Sequence, residues 1–308
     1  MQYLDLNITN HLPKITTDYL NNKKNIKNLY NRSFNIKNFS KQIEEKKKNY
    51  DDDFRSIICD ALTKNYKKIK NNSIQINAIK DLKKSNSFTI TTGHQLNLFT
   101  GPLYFFYKII DTIKICEVLK SEYPKNTFFP VFWMASEDHD YKEIRFFNTN
   151  LKKFFWDISS DGTVGKLKTN SLKKMFDELS SFFEKDNLNS KKIIELFKNS
   201  YLKNKNLSEA TFHLVHELFG KYGLLILDAD NRSLKKIILK EFISEIKKQN
   251  CFKSVNDTNE SLRKQNFKPQ VNPREINLFY INKNSRKRIF KIKNKYALIN
   301  SQINFKEE

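Results

Sequence analysis

A chain of 308 residues, 39% hydrophobic and 13% aromatic, has room for about two domains and a sizeable core, so wholesale disorder is set aside, and six Gly and six Pro exclude collagen-like and Pro/Gly-rich classes. The formal charge of +22, from 56 Lys+Arg against 34 Asp+Glu, raises nucleic acid or an anionic surface as a partner. Only eight of those basic residues are Arg, however, and Lys is scattered among Asn and Ile as in KKNIKNLYNRSFNIKNF, a drift that A+T-rich coding produces, so a basic nucleic-acid-binding α/β module is kept only as the alternative.

The opening MQYLDLNITN lacks a cationic stretch followed by an apolar one, and no run approaches the roughly 18 apolar residues that cross a bilayer; a cytoplasmic protein without a membrane partner is expected. Over residues 1–84 the texture is polar, with Phe54, Ile57, Ile58, Ala61 and Leu62 at helical spacing, which predicts a mainly helical N-terminal region. SFTITTG, residues 87–93, then reads as a strand ending in a loop. Pro102 opens a helix in which Leu103, Phe106, Tyr107, Ile110 and Ile113 mark the expected apolar face, and FFPVFWMA, residues 128–135, reads as a buried strand. A long helical stretch over residues 191–222 leads into GLLILDAD, a further buried strand whose Asp230 or Asn231 caps the next helix; INLFYI and KRIFKI suggest late strands. Strands alternating with helices predict an α/β fold with a mainly parallel sheet over residues 85–308. Cys59, Cys116 and Cys251 form no C-x-x-C pair and no ligand spacing, so neither a disulfide framework nor a metal site is assigned; His213 and His216 read as helix packing residues.

Two segments fall where strands of such a sheet end and ligands bind. TTGHQLNLFTGP, residues 91–102, crowds Thr92, His94, Gln95, Asn97 and Thr100 between Gly93 and Gly101 ahead of a helix N-terminus, a combination suited to a carboxylate or phosphate. The alternative is a loop whose side chains satisfy its own backbone. The second, Glu137-Asp138-His139-Asp140, places three carboxylates beside an imidazole, which repel unless an ammonium, a metal or protonation offsets them. Here His139 is a candidate general base and Glu137 or Asp138 a candidate ammonium ligand; the alternative is an acidic helix start. Asp228 ends the third strand at the same edge, either in the site or as a cap.

At these loops the sequence resembles the bacillithiol-biosynthesis cysteine-adding enzymes, the BshC family. The resemblance rests on TTGHQLNLFTGPLYFFYK, PVFWMASEDHDYKEI, DGTVGKL at residues 161–167, GLLILDAD, and KPQVNPREINLFYI at residues 268–281. It implies a Rossmann-like core with connecting insertions over residues 85–308 and a ligase that joins the carboxyl of L-cysteine to the amine of glucosaminyl-malate. It implies His139, Asp138 and His94 as catalytic candidates. Thr92, Gly93, Gln95, Asn97, Thr100, Gly101, Tyr104, Glu137, Asp140, Asp228, Gln270, Arg274, Asn277 and Tyr280 are then substrate-binding candidates. ATP is the plausible activator of the carboxylate, although no ATP motif is recognisable. The chain departs from the family pattern at His94, where relatives carry Gln, and stops at Glu308, before the family's C-terminal coiled coil. A truncated ligase or its noncatalytic remnant, without the family's homodimer contacts, is therefore an expectation.

Overall fold

β-Branched and aromatic runs bounded by polar turns give nine strands among the residues that the computed structural model describes, which are 4, 6–9, 11–149, 152–160, 162–183, 187–282, 285–293 and 295–306. The chain divides into two units. One holds Met1–Lys48, Lys240–Tyr280 and Lys287–Glu308, the other Asn49–Leu239 and Ile281–Arg286.

In the second unit, β1 (Ser87–Gln95), β2 (Thr127–Ala135) and β5 (Leu225–Asp228) form a parallel sheet in the order β1-β2-β5, while β3 (Phe146–Asn148) and β4 (Lys153–Phe155) pair antiparallel. The register sets Gln95 beside Ala135 and Met134 beside Asp228, so three carboxyl ends share one edge. Phe128, Phe129, Val131, Phe132 and Met134 are all buried, as a covered central strand requires; Trp133, opposite Gly93, remains 40% exposed. The mainly parallel, Rossmann-like sheet with helices is the architecture the sequence predicts.

Residues 49–84, grouped by composition with the N-terminal region, sit in this unit for a definite reason. The helix Asp52–Tyr66 ends on a fully buried Tyr66, whose hydroxyl accepts from Ile226 N at 2.9 Å and donates to Leu224 O at 3.3 Å. In the helix Ser73–Leu82, the buried Gln75 donates to Gly220 O at 2.6 Å. Both contacts tie the helices to the approach to β5.

The helix after β1 spans Tyr104–Glu122, and its face is turned from the one predicted. Phe105, Ile109, Ile113, Cys116 and Leu119 are buried, whereas Leu103, Tyr107 and Ile110 are exposed. Residues 103–107 are apolar all round, so periodicity alone leaves the rotation open; Phe105 decides it by meeting Phe132 edge-on at 5.6 Å. The stretch at residues 191–222 is likewise not one helix. Leu188–Phe197 runs into a π-helical turn, Lys198–Leu202, and a new helix, Leu207–Phe219, starts where Asn206 accepts from Glu209 N at 2.9 Å.

The late strands β6 (Phe279–Ile281), β7 (Arg286–Ile292), β8 (Lys295–Leu298) and β9 (Asn304–Lys306) follow in sequential order, with β7-β8 and β8-β9 antiparallel; Ile281 and Arg286 belong to the second unit and the remainder to the first. Its helices Leu239–Lys248 and Asn250–Lys264 meet at Glu245. Burial raises this carboxyl, but N–H donors from Cys251 at 2.9 Å and Asn277 at 3.0 Å outweigh that and hold it below the usual range.

Candidate functional site

Three turns leave the carboxyl edge of the parallel sheet, all within the second unit. The first, after β1, is polar in sequence but anchored by apolar residues: Leu96, Leu98 and Phe99 are buried, and the Phe99 ring packs on Tyr201 at 4.8 Å. Phe99, Thr100 and Gly101 all have positive φ, at 47°, 77° and 67°. Two of the three are not Gly, so the turn stores strain that the packing around Phe99 and the buried Tyr201 hydroxyl hold in place. That hydroxyl accepts from Phe99 N at 2.9 Å and donates to Asn97 O at 3.2 Å.

His94 lies on the face covered by the following helix, stacked on Tyr104 at 5.3 Å and edge-on to Phe105 at 5.7 Å. Its Nδ1 is 2.8 Å from Gln95 O, a carbonyl that can only accept, so Nδ1 carries the proton and Nε2 is left as a lone pair on the neutral ring. Asn97 Nδ2 also lies 3.2 Å from Nδ1, but this amide donates to Gln95 O at 3.1 Å, so the carbonyl accepts from both side chains. Burial lowers the His94 pKa, the carbonyl contact opposes this, and Lys108 adds to the lowering. Lys108 itself donates to Gly93 O, while Thr92 is half-buried within the strand.

The second turn, after β2, uses its carboxylates partly on itself. Asp138 Oδ1 accepts from His139 N at 2.6 Å, and Asp140 caps the single helical turn Tyr141–Ile144 through Glu143 N at 3.3 Å, which is the acidic helix start weighed from the sequence. Glu137 differs: its Oε2 is buried and has no hydrogen-bond partner among the described residues. Burial raises its pKa, against Lys235 and Arg286, with Asp230 adding to the rise. Arg286, at the start of β7, donates from Nη1 to His139 Nδ1 at 2.6 Å and lies 3.8 Å from Asp138 Oδ1.

The DGTVGKL segment is stitched to this turn by backbone, with Val164 N donating to Asp138 O at 2.7 Å and Gly165 N to Ser136 O at 2.9 Å. A Cβ at Gly165 would sit 2.8 Å from Ser136 Cβ, which explains the glycine. Asp161, which opens the motif, lies outside the described residues.

The third turn, after β5, is organised by Asp228. Its carboxylate accepts from the Ser136 hydroxyl, from Ser208 Oγ at 2.6 Å and from Asp230 N at 3.0 Å, and Asp230 pairs with Lys166 at 3.1 Å and with Lys235. Ser136, Lys166, Ser208, Asp228 and Asp230 line a cavity of about 540 Å³ with Gly165, Asn206 and Glu209, and with Lys68 and Lys205 among its further lining residues.

The structure therefore ties the three turns in series. Gln95 Nε2 donates to Asp140 O at 3.4 Å, linking the first to the second, and Ser136 links the second to the third. The cavity lies between the second and third turns, and no residue of the first lines it. Ser136, Gly165, Lys166, Ser208 and Arg286 are not among the site residues expected from the sequence, and Asp230 is offered there only as a helix cap, a role that Asn231 takes by accepting from Ser233 N at 2.9 Å. Gln270, Arg274, Asn277 and Tyr280 are exposed residues of the first unit, where Asn259 Nδ2 holds Val271 O at 2.9 Å and Tyr280 packs on Phe305 at 5.6 Å. Cys116 is a packing residue whose thiol burial pushes up to about 12, too high for a nucleophile. His216 is buried beside Tyr66 and His213 bonds Ser200 Oγ at 3.0 Å; among the described residues no group of three or more His, Cys, Asp or Glu is placed to hold a metal ion.

The chain is also similar to known proteins. The family model for bacillithiol biosynthesis BshC, N-terminal Rossmann-like domain, matches residues 1–308. Proteins named "Putative cysteine ligase BshC" are similar along nearly the whole chain. That of Flavobacterium johnsoniae is 44% identical over 298 residues, covering 97% of this chain and 56% of its own length. That of Flavobacterium psychrophilum is 45% identical over 298 residues, with 96% and 56% covered, and that of Cytophaga hutchinsonii 33% identical over 306, with 99% and 56% covered. The chain thus spans a little over half the length of these relatives. With identity above 30% across almost all of its residues and the Rossmann-like domain matched from end to end, the chain belongs to the BshC family of bacillithiol biosynthesis.

Proposed function

We propose that this chain carries the amide-forming site of a cysteine ligase, which joins the carboxyl of L-cysteine to the amine of glucosaminyl-malate. The observation that carries the reading is the serial linkage of three strand-end turns, the second and third joined at Asp228, in a chain of this family. The cavity beside Asp228 offers amide, hydroxyl, carboxylate and ammonium groups together, which suits a substrate bearing hydroxyls and charges of both signs. Amide formation from a free acid is uphill in water, so the cysteine carboxyl must first be activated, and ATP is the proposed activator. Glu137, a carboxyl kept partly dehydrated beside the edge, is the proposed acceptor of the ammonium proton that the amine must shed before attack.

The test is purified chain with L-cysteine, glucosaminyl-malate and ATP, followed by mass spectrometry of the thiol-labelled products. Bacillithiol is expected, with its formation reduced about 100-fold by Asp228→Ala. A cell lacking the gene that keeps its normal bacillithiol level overturns the reading.

A further inference from the structure

The hydrogen bond between Arg286 and His139 reaches across 147 residues of sequence and bears on what the imidazole can do. A guanidinium has donors only, so a ring nitrogen 2.6 Å from Nη1 must accept. Nδ1 of His139 is then the lone-pair nitrogen and, in the neutral ring, Nε2 carries the hydrogen. A competing partner is Asp138, whose Oδ1 lies 3.4 Å from the same nitrogen and favours the opposite arrangement, an Nδ1–H pointing at a carboxylate. Two facts decide between them. The guanidinium is nearer by 0.8 Å, the difference between 3.4 and 2.6 Å, and Asp138 Oδ1 is already taken by His139 N at 2.6 Å and shared with Asp140 N at 3.4 Å. Arg286 is itself only 17% exposed, so it is held by its surroundings while the ring is 45% exposed and reachable by a solute.

We propose that Arg286 is a positioning residue that fixes His139 as a hydrogen-bond donor through Nε2–H, so that the ring serves a carboxyl oxygen or the oxyanion formed from it rather than acting as the general base. This rests on the ligase reading for its role, but not for its geometry. When an amine attacks an activated carboxyl, the carbonyl oxygen gains negative charge as the C–N bond forms, and a neutral N–H donor stabilises it without itself gaining or losing a proton. His94 has the complementary arrangement, with Nδ1–H on Gln95 O and a bare Nε2, so the two rings of the edge present opposite faces of the same chemistry.

The tautomer is measured directly on the ¹⁵N-labelled chain by long-range ¹H–¹⁵N correlation at about pH 8, where an ordinary imidazole is neutral. The His139→Gln variant identifies the resonance among the five histidines. The expected wild-type pattern is unprotonated Nδ1 and protonated Nε2. Arg286→Met removes the donor at Nδ1 while Asp138 Oδ1 stays 3.4 Å from it, and is expected to move the proton to Nδ1; Arg286→Lys, which keeps a donor, is expected to retain the wild-type pattern. A wild-type ring protonated at Nδ1, or an Arg286→Met ring unchanged, overturns the proposal, and the wild-type spectrum decides alone should that variant not fold. In the ligase assay, His139→Gln keeps an N–H donor and is expected to stay within about 10-fold of wild type, while His139→Ala falls about 100-fold. Loss of activity in His139→Gln equal to that in His139→Ala overturns the donor role. Because the spectrum needs no substrate, a chain that makes no bacillithiol would sink the ligase reading and leave the tautomer result standing.

Discussion

The turn after β1 and the turn after β2 leave the same sheet edge and each carries one histidine, yet they are held by different forces. The first is a packed object: Leu96, Leu98 and Phe99 are buried, Tyr201 bonds its backbone, and His94 is fixed by its own neighbour's carbonyl. The second is held by strand-like backbone bonds to residues 164 and 165 and by charges, with His139 fixed by an arginine far away in sequence. Packing confers rigidity that salt and pH scarcely reach, whereas a half-exposed charge cluster can be reset by one substitution. On the proposed ligase reading, the first turn supplies a rigid acceptor nitrogen and the second an adjustable donor.

The largest blow to this contrast is expected from Gly101→Ala. A Cβ there would lie 2.6 Å from Asn97 Cβ, at a φ of 67° and ψ of −146° that L-residues avoid, so we expect about 3 kcal/mol of destabilisation in urea unfolding. The matched control is Gly93→Ala, where the new methyl meets Trp133 Cδ1 at 3.5 Å, an ordinary contact, and the change should stay within about 1 kcal/mol. Equal effects would show that the first turn is not strained in the way described. Next in size is Tyr201→Phe, which strands the buried Phe99 N–H and should cost about 1–3 kcal/mol while leaving the His139 spectrum untouched. A perturbed His139 spectrum would mean that the two turns are coupled through more than the Gln95–Asp140 bond.

The elements of the sheet were legible because strand and helix patterns are local: residues 87–93 and 128–135 announce themselves by composition, and β1 merely runs two residues further, to Gln95. The rotation of the helix Tyr104–Glu122 was not, since its first turn is apolar on every side and only Phe132 selects Phe105. The site divides in the same manner. The two turns stand out in the chain, but Ser136 and Ser208 look like any serine until Asp228 is placed between them. Arg286 did carry a signal. In a chain whose bases are mostly Lys, a guanidinium is the planar donor available for such a place. Arg55, on three carbonyls, and Arg32, on Gln42 and Glu45, are used in the same way.

The smallest effect expected is in the pH dependence of stability, and it separates the two histidines. Burial lowers the His94 pKa in the folded chain, so between the ordinary histidine value of about 6.5 and that lower value the unfolded chain binds the proton and the folded chain does not. Stability therefore rises with pH through this window and is lost as pH falls below about 6.5. His216, also lowered chiefly by burial, acts in the same direction, so the wild-type slope has two contributors. Glu137, raised by burial, acts oppositely above the ordinary glutamate value of about 4.3, where the folded chain holds the proton more tightly than the unfolded one. Replacing His94 by Gln keeps a polar side chain of similar reach and removes one titration, so the urea midpoint of His94→Gln should change less between pH 7 and pH 5.5 than that of wild type, by a fraction of the effect of Tyr201→Phe. An undiminished slope would place His94 in water, against the stacked Tyr104 and the Gln95 carbonyl that now define the rigid turn.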